Sequence, residues 1–182
     1  AADCLGGTDT AVGALPVVTL DCPGAQSINE DIEGTFGYLI GEDYCTVYYE
    51  AFKNDNILSI LVVQQYNDTP SCYYTPFNLD LSTGQRIGGE DLLAMMEADR
   101  TVVGDDEIGI MAEEFEHQFG ALSEGDSAAF YQEQYDRTTS IDNAEFSRLW
   151  IGGNGELWFV AKLYSLAGAE FYEYPMSTGL AF

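Results

Sequence analysis

Positive charge is what this 182-residue chain has least of. Six Lys and Arg stand against 31 Asp and Glu, with one histidine, for a formal net charge of −25. So few bases exclude a nucleic-acid interface, because neutralising phosphate takes a basic surface. An anionic membrane surface would repel the chain for the same reason. A cationic partner or bound metal cations would be attracted and steered. The other use of such acidity is keeping an exported protein in solution. Long apolar runs are also missing; none approaches the roughly 18 residues that a membrane span needs. The chain opens Ala1-Ala2-Asp3 with no signal peptide, so the expectation is a mature exported fragment.

Catalytic signatures are equally scarce. There is no GxSxG, no HExxH and no glycine loop followed by Lys-Ser or Lys-Thr. The lone His117 lies in EEFEHQF, where Glu113 shares its helical face at i, i+4. No third ligand accompanies them, and the stretch reads as a solvated acidic face. Acidic groups such as Glu30/Asp31/Glu33, Glu42/Asp43, Glu90/Asp91 and Asp105/Asp106/Glu107 arise by chance among 31 carboxylates. No catalytic residue, metal or cofactor is therefore assigned. The rival reading is a glycan hydrolase, which would place two carboxyls about 5–9 Å apart in a tyrosine-lined cleft. A third reading, a structural domain without ligand, predicts no concave aromatic patch.

What the chain does have is apolar and aromatic residues, 46% and 13%, enough for a packed core despite the charge. Without a repeat or a low-complexity linker, the expectation is one domain over residues 15–182 behind a leader segment, 1–14. Leu15–Leu20 is a short β-branched run that Cys22-Pro23-Gly24 breaks, and Ser27 with Glu30 suggests a capping box opening a short helix. Tyr44–Leu81 reads as three strands joined by turns at Lys53–Asn56 and Asn67–Ser71. The middle one, ILSILVVQQY, is nearly continuously apolar, as in a central strand covered on one face by helix. Helices are expected over Asp91–Ala98, Asp105–Gly120 and from Asp126-Ser127 onward. The trio Asp105, Asp106 and Glu107 would favour the second helix's N-terminus. Strands Glu145–Ile151 and Glu156–Leu163 flank a Gly152–Gly155 turn. The fold class is thus α+β, an antiparallel meander packed on short helices with a C-terminal hairpin.

Four cysteines, Cys4, Cys22, Cys45 and Cys72, contain no CxxC, which disfavours a zinc or thioredoxin-type site. Disulfides are the preferred reading for an exported chain, and Cys4 could tie the leader down by bonding Cys22. In a simple meander Cys45 and Cys72 lie two strand spacings apart, about 10 Å, beyond the disulfide limit of about 7 Å between Cα atoms. The pairing stays open. Twelve tyrosines include the doublets Tyr48-Tyr49 and Tyr73-Tyr74. Flat residues with a polar tip suit protein interfaces and carbohydrate platforms, and they suit a sheet core equally well. These four tyrosines are the candidates for partner contact.

The element order has a counterpart in a known family, most specifically in Phe77-Asn78-Leu79-Asp80-Leu81-Ser82-Thr83-Gly84 followed by Glu90-Asp91-Leu92-Leu93. A Pro-containing strand precedes Ser27-Ile28-Asn29 at a helix start, and a late hairpin runs into Tyr164, Ala167 and Gly168. Over residues 15–182 this resembles the extracytoplasmic domain of RsiV-type anti-sigma factors and the non-catalytic part of PdaC-type peptidoglycan deacetylases. The resemblance implies a bacterial cell-envelope binding or sensing module, extracytoplasmic, secreted or tethered, and without catalytic residues of its own. Its partner would be a basic protein such as lysozyme, which RsiV-type proteins recognise, or cell-wall glycan.

Overall fold

The structure, a computed structural model, describes residues 9–67, 71–166 and 170–182. Cys4, much of the expected turn after Asn67, and Ala167 and Gly168 lie outside the described residues. The chain is α+β, built on two antiparallel sheets. The larger has five strands in sequence order, β1 (Asp9–Val12), β2 (Cys45–Asn54), β3 (Ile57–Tyr66), β4 (Cys72–Asp80) and β5 (Gln85–Ile87). The smaller has three, β6 (Trp150–Ile151), β7 (Glu156–Tyr164) and β8 (Phe171–Ala181). The α-helices that pack on them are α1 (Pro23–Phe36), α2 (Gly89–Met95), α3 (Arg100–Phe119) and α4 (Ala128–Thr138).

Side chains alternate along a strand, so each face of β3 needs its own cover. Ile60 and Val62 pack under α1 with Ile28, Ile32 and Phe36. Leu61 and Val63, on the opposite face, pack against Trp150 and Val160 of the smaller sheet together with Tyr48 and Phe52. The outer face of the smaller sheet then meets α2 and α3 through Leu92, Leu93, Val103 and Met111 on Leu157, Phe159, Ala161 and Leu163. The layers therefore run helix, sheet, sheet, helix. That explains the apolar run in β3: it is covered on both faces, not by helix on one.

Two polar locks hold the sheets together. The Ser59 hydroxyl donates to the Asn78 side chain (2.7 Å) and accepts from the Ile151 amide (3.1 Å). The Asn78 amide group donates to the Leu149 carbonyl at 2.8 Å. At the β4 edge, Arg148 forks onto Glu173 (2.7 and 2.6 Å) and onto the Tyr74 carbonyl, while Glu173 accepts from the Tyr74 amide at 3.1 Å. An Arg fork of this kind fixes geometry as well as adding attraction.

Several sequence expectations need correction. The Cys22-Pro23 break is itself the start of α1, with Pro23 where a missing N–H is harmless, so Ser27 lies inside the helix rather than at its cap. Asn29 instead pins the preceding extended segment, its side chain accepting from the Val18 amide (2.8 Å) and donating to the Val18 carbonyl (2.9 Å). Helix α3 begins at Arg100, because the Asp99 carboxylate caps the Thr101 amide at 2.8 Å. Asp105, Asp106 and Glu107 consequently sit inside the helix, not at its N-terminus. Residues 9–12 of the expected leader form an edge strand on β2. The strand expected at Glu145–Ile151 shrinks to Trp150–Ile151 after a 3-10 turn at Phe146–Arg148.

Cysteine geometry follows from the register. Cys45 pairs with Tyr66 and Cys72 with Gln65, neighbouring residues of β3 that point to opposite faces. Cys45 lies in the core under α1, whereas Cys72 packs toward the smaller sheet. Cys22, Cys45 and Cys72 are all free thiols. Burial pushes the Cys45 and Cys72 thiols up from their ordinary range, so both are held protonated and unreactive.

Candidate binding surface

The family-like stretch Phe77–Gly84 has a structural role. Asn78 is half of the lock just described. The Asp80 carboxylate accepts from the Ser82 amide (2.8 Å), the Ser82 hydroxyl (2.6 Å) and the Thr83 hydroxyl (2.8 Å). These bonds, Ser82's first, hold Asp80 below the usual carboxylate range. Gly84, at φ +70°, closes the turn by donating to the Asp80 carbonyl. The motif turns β4 into β5, and its polar side chains are occupied in doing so.

The four candidate tyrosines part company, because adjacent strand residues cannot share a face. Tyr48 is buried between the sheets. Tyr74 is half-buried in the same layer, where desolvation first, and then Cys72 and Tyr48, push its phenol up. Tyr49 faces the other way and lines an apolar groove of about 270 Å³ beside Pro16, Val17 and Val18. Tyr73 alone joins other aromatic residues at the surface.

That surface is a band of rings crossing from the larger sheet to the smaller. Tyr44 stacks on Tyr66 at 6.4 Å between centroids, with their planes 18° apart. Tyr66 meets Tyr73 edge-on at 5.9 Å, Tyr73 meets Phe171 edge-on at 6.3 Å, and Phe171 meets Tyr164 at 6.2 Å. Tyr38 is near enough to Tyr44 and Tyr66 to act on both phenols. Tyr38 is 67% exposed and Tyr44 48%. Asn67 sets the Tyr44 end: its amide donates to the Tyr44 carbonyl (3.0 Å), and its side chain donates to the Asp43 carbonyl and accepts from the Thr46 hydroxyl. Desolvation first, and then Glu42, raise the Tyr44 phenol above its ordinary value, so it stays neutral. The mixed, edge-to-face planes use much ring surface on neighbouring rings. The exposed end of the band is Tyr38 and Tyr44, and rings set edge to face beyond it form no single flat platform of the kind on which a sugar ring stacks. No sequence signal announced the band, because Tyr44, Tyr66, Tyr73 and Phe171 meet only through sheet register and the approach of β8 to β4.

Electrostatics is decided by how the bases are used. Arg86 pairs with Asp31, Arg100 with Glu90 (2.9 Å), Arg137 with Glu170 (3.2 Å), Arg148 with Glu173 and Glu145, and Lys162 with Glu145 (3.7 Å). Five of the six bases are thus matched by the chain's own carboxylates, which leaves a large excess of exposed acids uncompensated. Asp105, Asp106, Glu113 and Glu116 on the outer side of α3 and Glu42 and Asp43 beside Tyr44 are among them.

Two arrangements bear on catalysis. An open pocket of about 230 Å³ is lined by Arg137, Asp142, Asn143, Glu145, Lys162 and Tyr164, so two carboxylates do stand near a tyrosine. Glu145 is held between Arg148 and Lys162, whereas a general acid needs a desolvated, cation-free setting. Glu107 has such a setting: burial pushes its carboxyl up to about 8. Yet it is fully buried on the inner side of α3, both oxygens lack a hydrogen-bond partner, and no substrate reaches it. His117 is exposed, 3.8 Å from Glu114, and no group of three potential metal-ligating side chains occurs among the described residues. No helix among them is long and apolar enough to cross a membrane. No family model, curated protein or solved structure matches this chain.

Proposed function

We propose that this chain is a non-catalytic binding or sensing module of a bacterial cell envelope, acting outside the cytoplasmic membrane on a strongly cationic protein such as lysozyme. The observation that carries this reading is the disposition of charge: a net −25 with five of six bases already paired internally. Such a surface raises the encounter rate with a basic protein and rejects anionic ones. The resemblance of Phe77–Gly84 and Glu90–Leu93 to the RsiV and PdaC extracytoplasmic domains supports the same class of partner. Herringbone packing in the aromatic band favours a protein over cell-wall glycan as the ligand.

Calorimetric titration of lysozyme into the chain tests the proposal. Binding should weaken steadily from low to high salt, because screening removes the long-range attraction. Affinity that is unchanged across that range, or a preference for peptidoglycan fragments over the protein, would overturn it.

A further inference from the structure

Aromatic faces are where this fold already keeps its cations. Arg137 stands over Tyr164 at 3.8 Å, Arg100 over Phe146 at 4.3 Å, Lys162 over Phe171 at 4.4 Å and Arg86 over Phe77 at 5.4 Å. Ring faces attract cations through the negative charge of the π system. The aromatic band is therefore asymmetric. Its Tyr164–Phe171 end is capped by Arg137 and Lys162, while among the described residues no Lys or Arg stands over Tyr38, Tyr44, Tyr66 or Tyr73 at the other. That open end also carries exposed carboxylates, Glu42 and Asp43, immediately before Tyr44.

We infer that the open end, Tyr38, Tyr44, Tyr66 and Tyr73 rimmed by Glu42 and Asp43, receives an arginine or lysine side chain projecting from the cationic partner. The inference rests on the reading of the chain as a module for a basic protein, and it assigns the contact surface within it. Complementarity is of two kinds here: carboxylates steer the incoming charge, and the exposed ring of Tyr44, with Tyr38 beside it, accepts it at close range. The site is also formed before the ligand arrives. Tyr66 and Tyr73 are half-buried and packed edge to face, and the three bonds from Asn67 hold Tyr44 in place, so little side-chain freedom is lost on binding. Neutral phenols at Tyr44 and Tyr66, raised mainly by desolvation, keep the donor and acceptor capacity of the tips intact.

Two substitutions separate ring electrostatics from apolar area. Tyr44→Phe keeps the π face and should hold lysozyme affinity within about twofold of wild type. Tyr44→Leu keeps apolar bulk without the ring and should weaken it about fivefold. The pair Asp105→Asn/Asp106→Asn, on the outer side of α3, should reduce the salt dependence and leave the difference between the Tyr44→Phe and Tyr44→Leu variants unchanged. In parallel, a capped di-arginine peptide titrated into wild type should shift the ring resonances of Tyr44, Tyr66 and Tyr73 in NMR spectra. Equal affinity of the two Tyr44 variants, with lysozyme still bound in a salt-dependent way, overturns this site and leaves the module standing. Peptide shifts confined to α3 do the same. Failure of wild type to bind lysozyme while the peptide still shifts these rings removes the lysozyme-type partner and retains the cation site.

Discussion

Replacing Glu107 by Gln should stabilise the protein, and more so as pH rises. Glu107 is fully buried on α3 between the turns that carry Val103 and Met111, and neither carboxyl oxygen has a partner. Desolvation alone raises its pKa from the ordinary value of 4.5 to about 8. The native state therefore holds a proton that the unfolded chain releases. Stability is fully present below about 4.5 and is lost progressively as pH climbs toward about 8, where the native carboxyl also ionises. Within that window the slope is about 1.4 kcal/mol per pH unit, so at pH 7 the loss is roughly 3 kcal/mol. A Gln side chain has the shape of the protonated acid and cannot ionise. Urea unfolding of wild type and Glu107→Gln, followed by fluorescence of Trp150 and Trp158 at fixed ionic strength, gives the difference directly. Self-repulsion among the other carboxylates is common to both proteins and cancels. Near pH 4.5 the two should be about equally stable, and by pH 8 the variant should lead by several kcal/mol, on the order of 4. A difference that stays constant from about pH 5 to about pH 8 would refute the assignment of an ionisable, desolvated carboxyl at this position.

Two further outcomes follow from the locks between layers and from strand register. Asn78→Ala strips the Ser59 hydroxyl and the Leu149 carbonyl of buried partners and should lower unfolding stability by about 2–3 kcal/mol, read by denaturant titration, with little change in lysozyme affinity. Cys45 and Cys72 should never appear joined in one proteolytic peptide under non-reducing mass spectrometry, because their side chains face opposite sides of the sheet. A Cys45–Cys72 crosslink in folded protein would contradict the register of β2, β3 and β4.

Much of this molecule can be read from local pattern. Alternating and apolar runs mark β2, β3, β4 and β7, helical spacing of Met111 and Phe115 marks α3, and the shortage of bases sets the sign of the chain's own charge. These are properties of short windows or of the whole composition, and neither needs long-range contacts. Helix ends are less legible: Asp99 caps α3 ahead of the acidic trio 105–107 expected at its N-terminus, and Pro23 opens a helix expected to start near Ser27. Tertiary structure alone decided the rest. A second sheet covers the outer face of β3, so Tyr48 becomes core and Tyr74 half-buried beside it, while Tyr49 turns toward the opposite groove. Glu107 looks like one more surface acid in a chain full of them, and only the tertiary packing of α3 buries it. The band Tyr44–Tyr66–Tyr73–Phe171–Tyr164 spans two sheets and more than a hundred residues of sequence. Its rings meet because register and sheet-to-sheet docking bring them together, and no window of sequence contains that information.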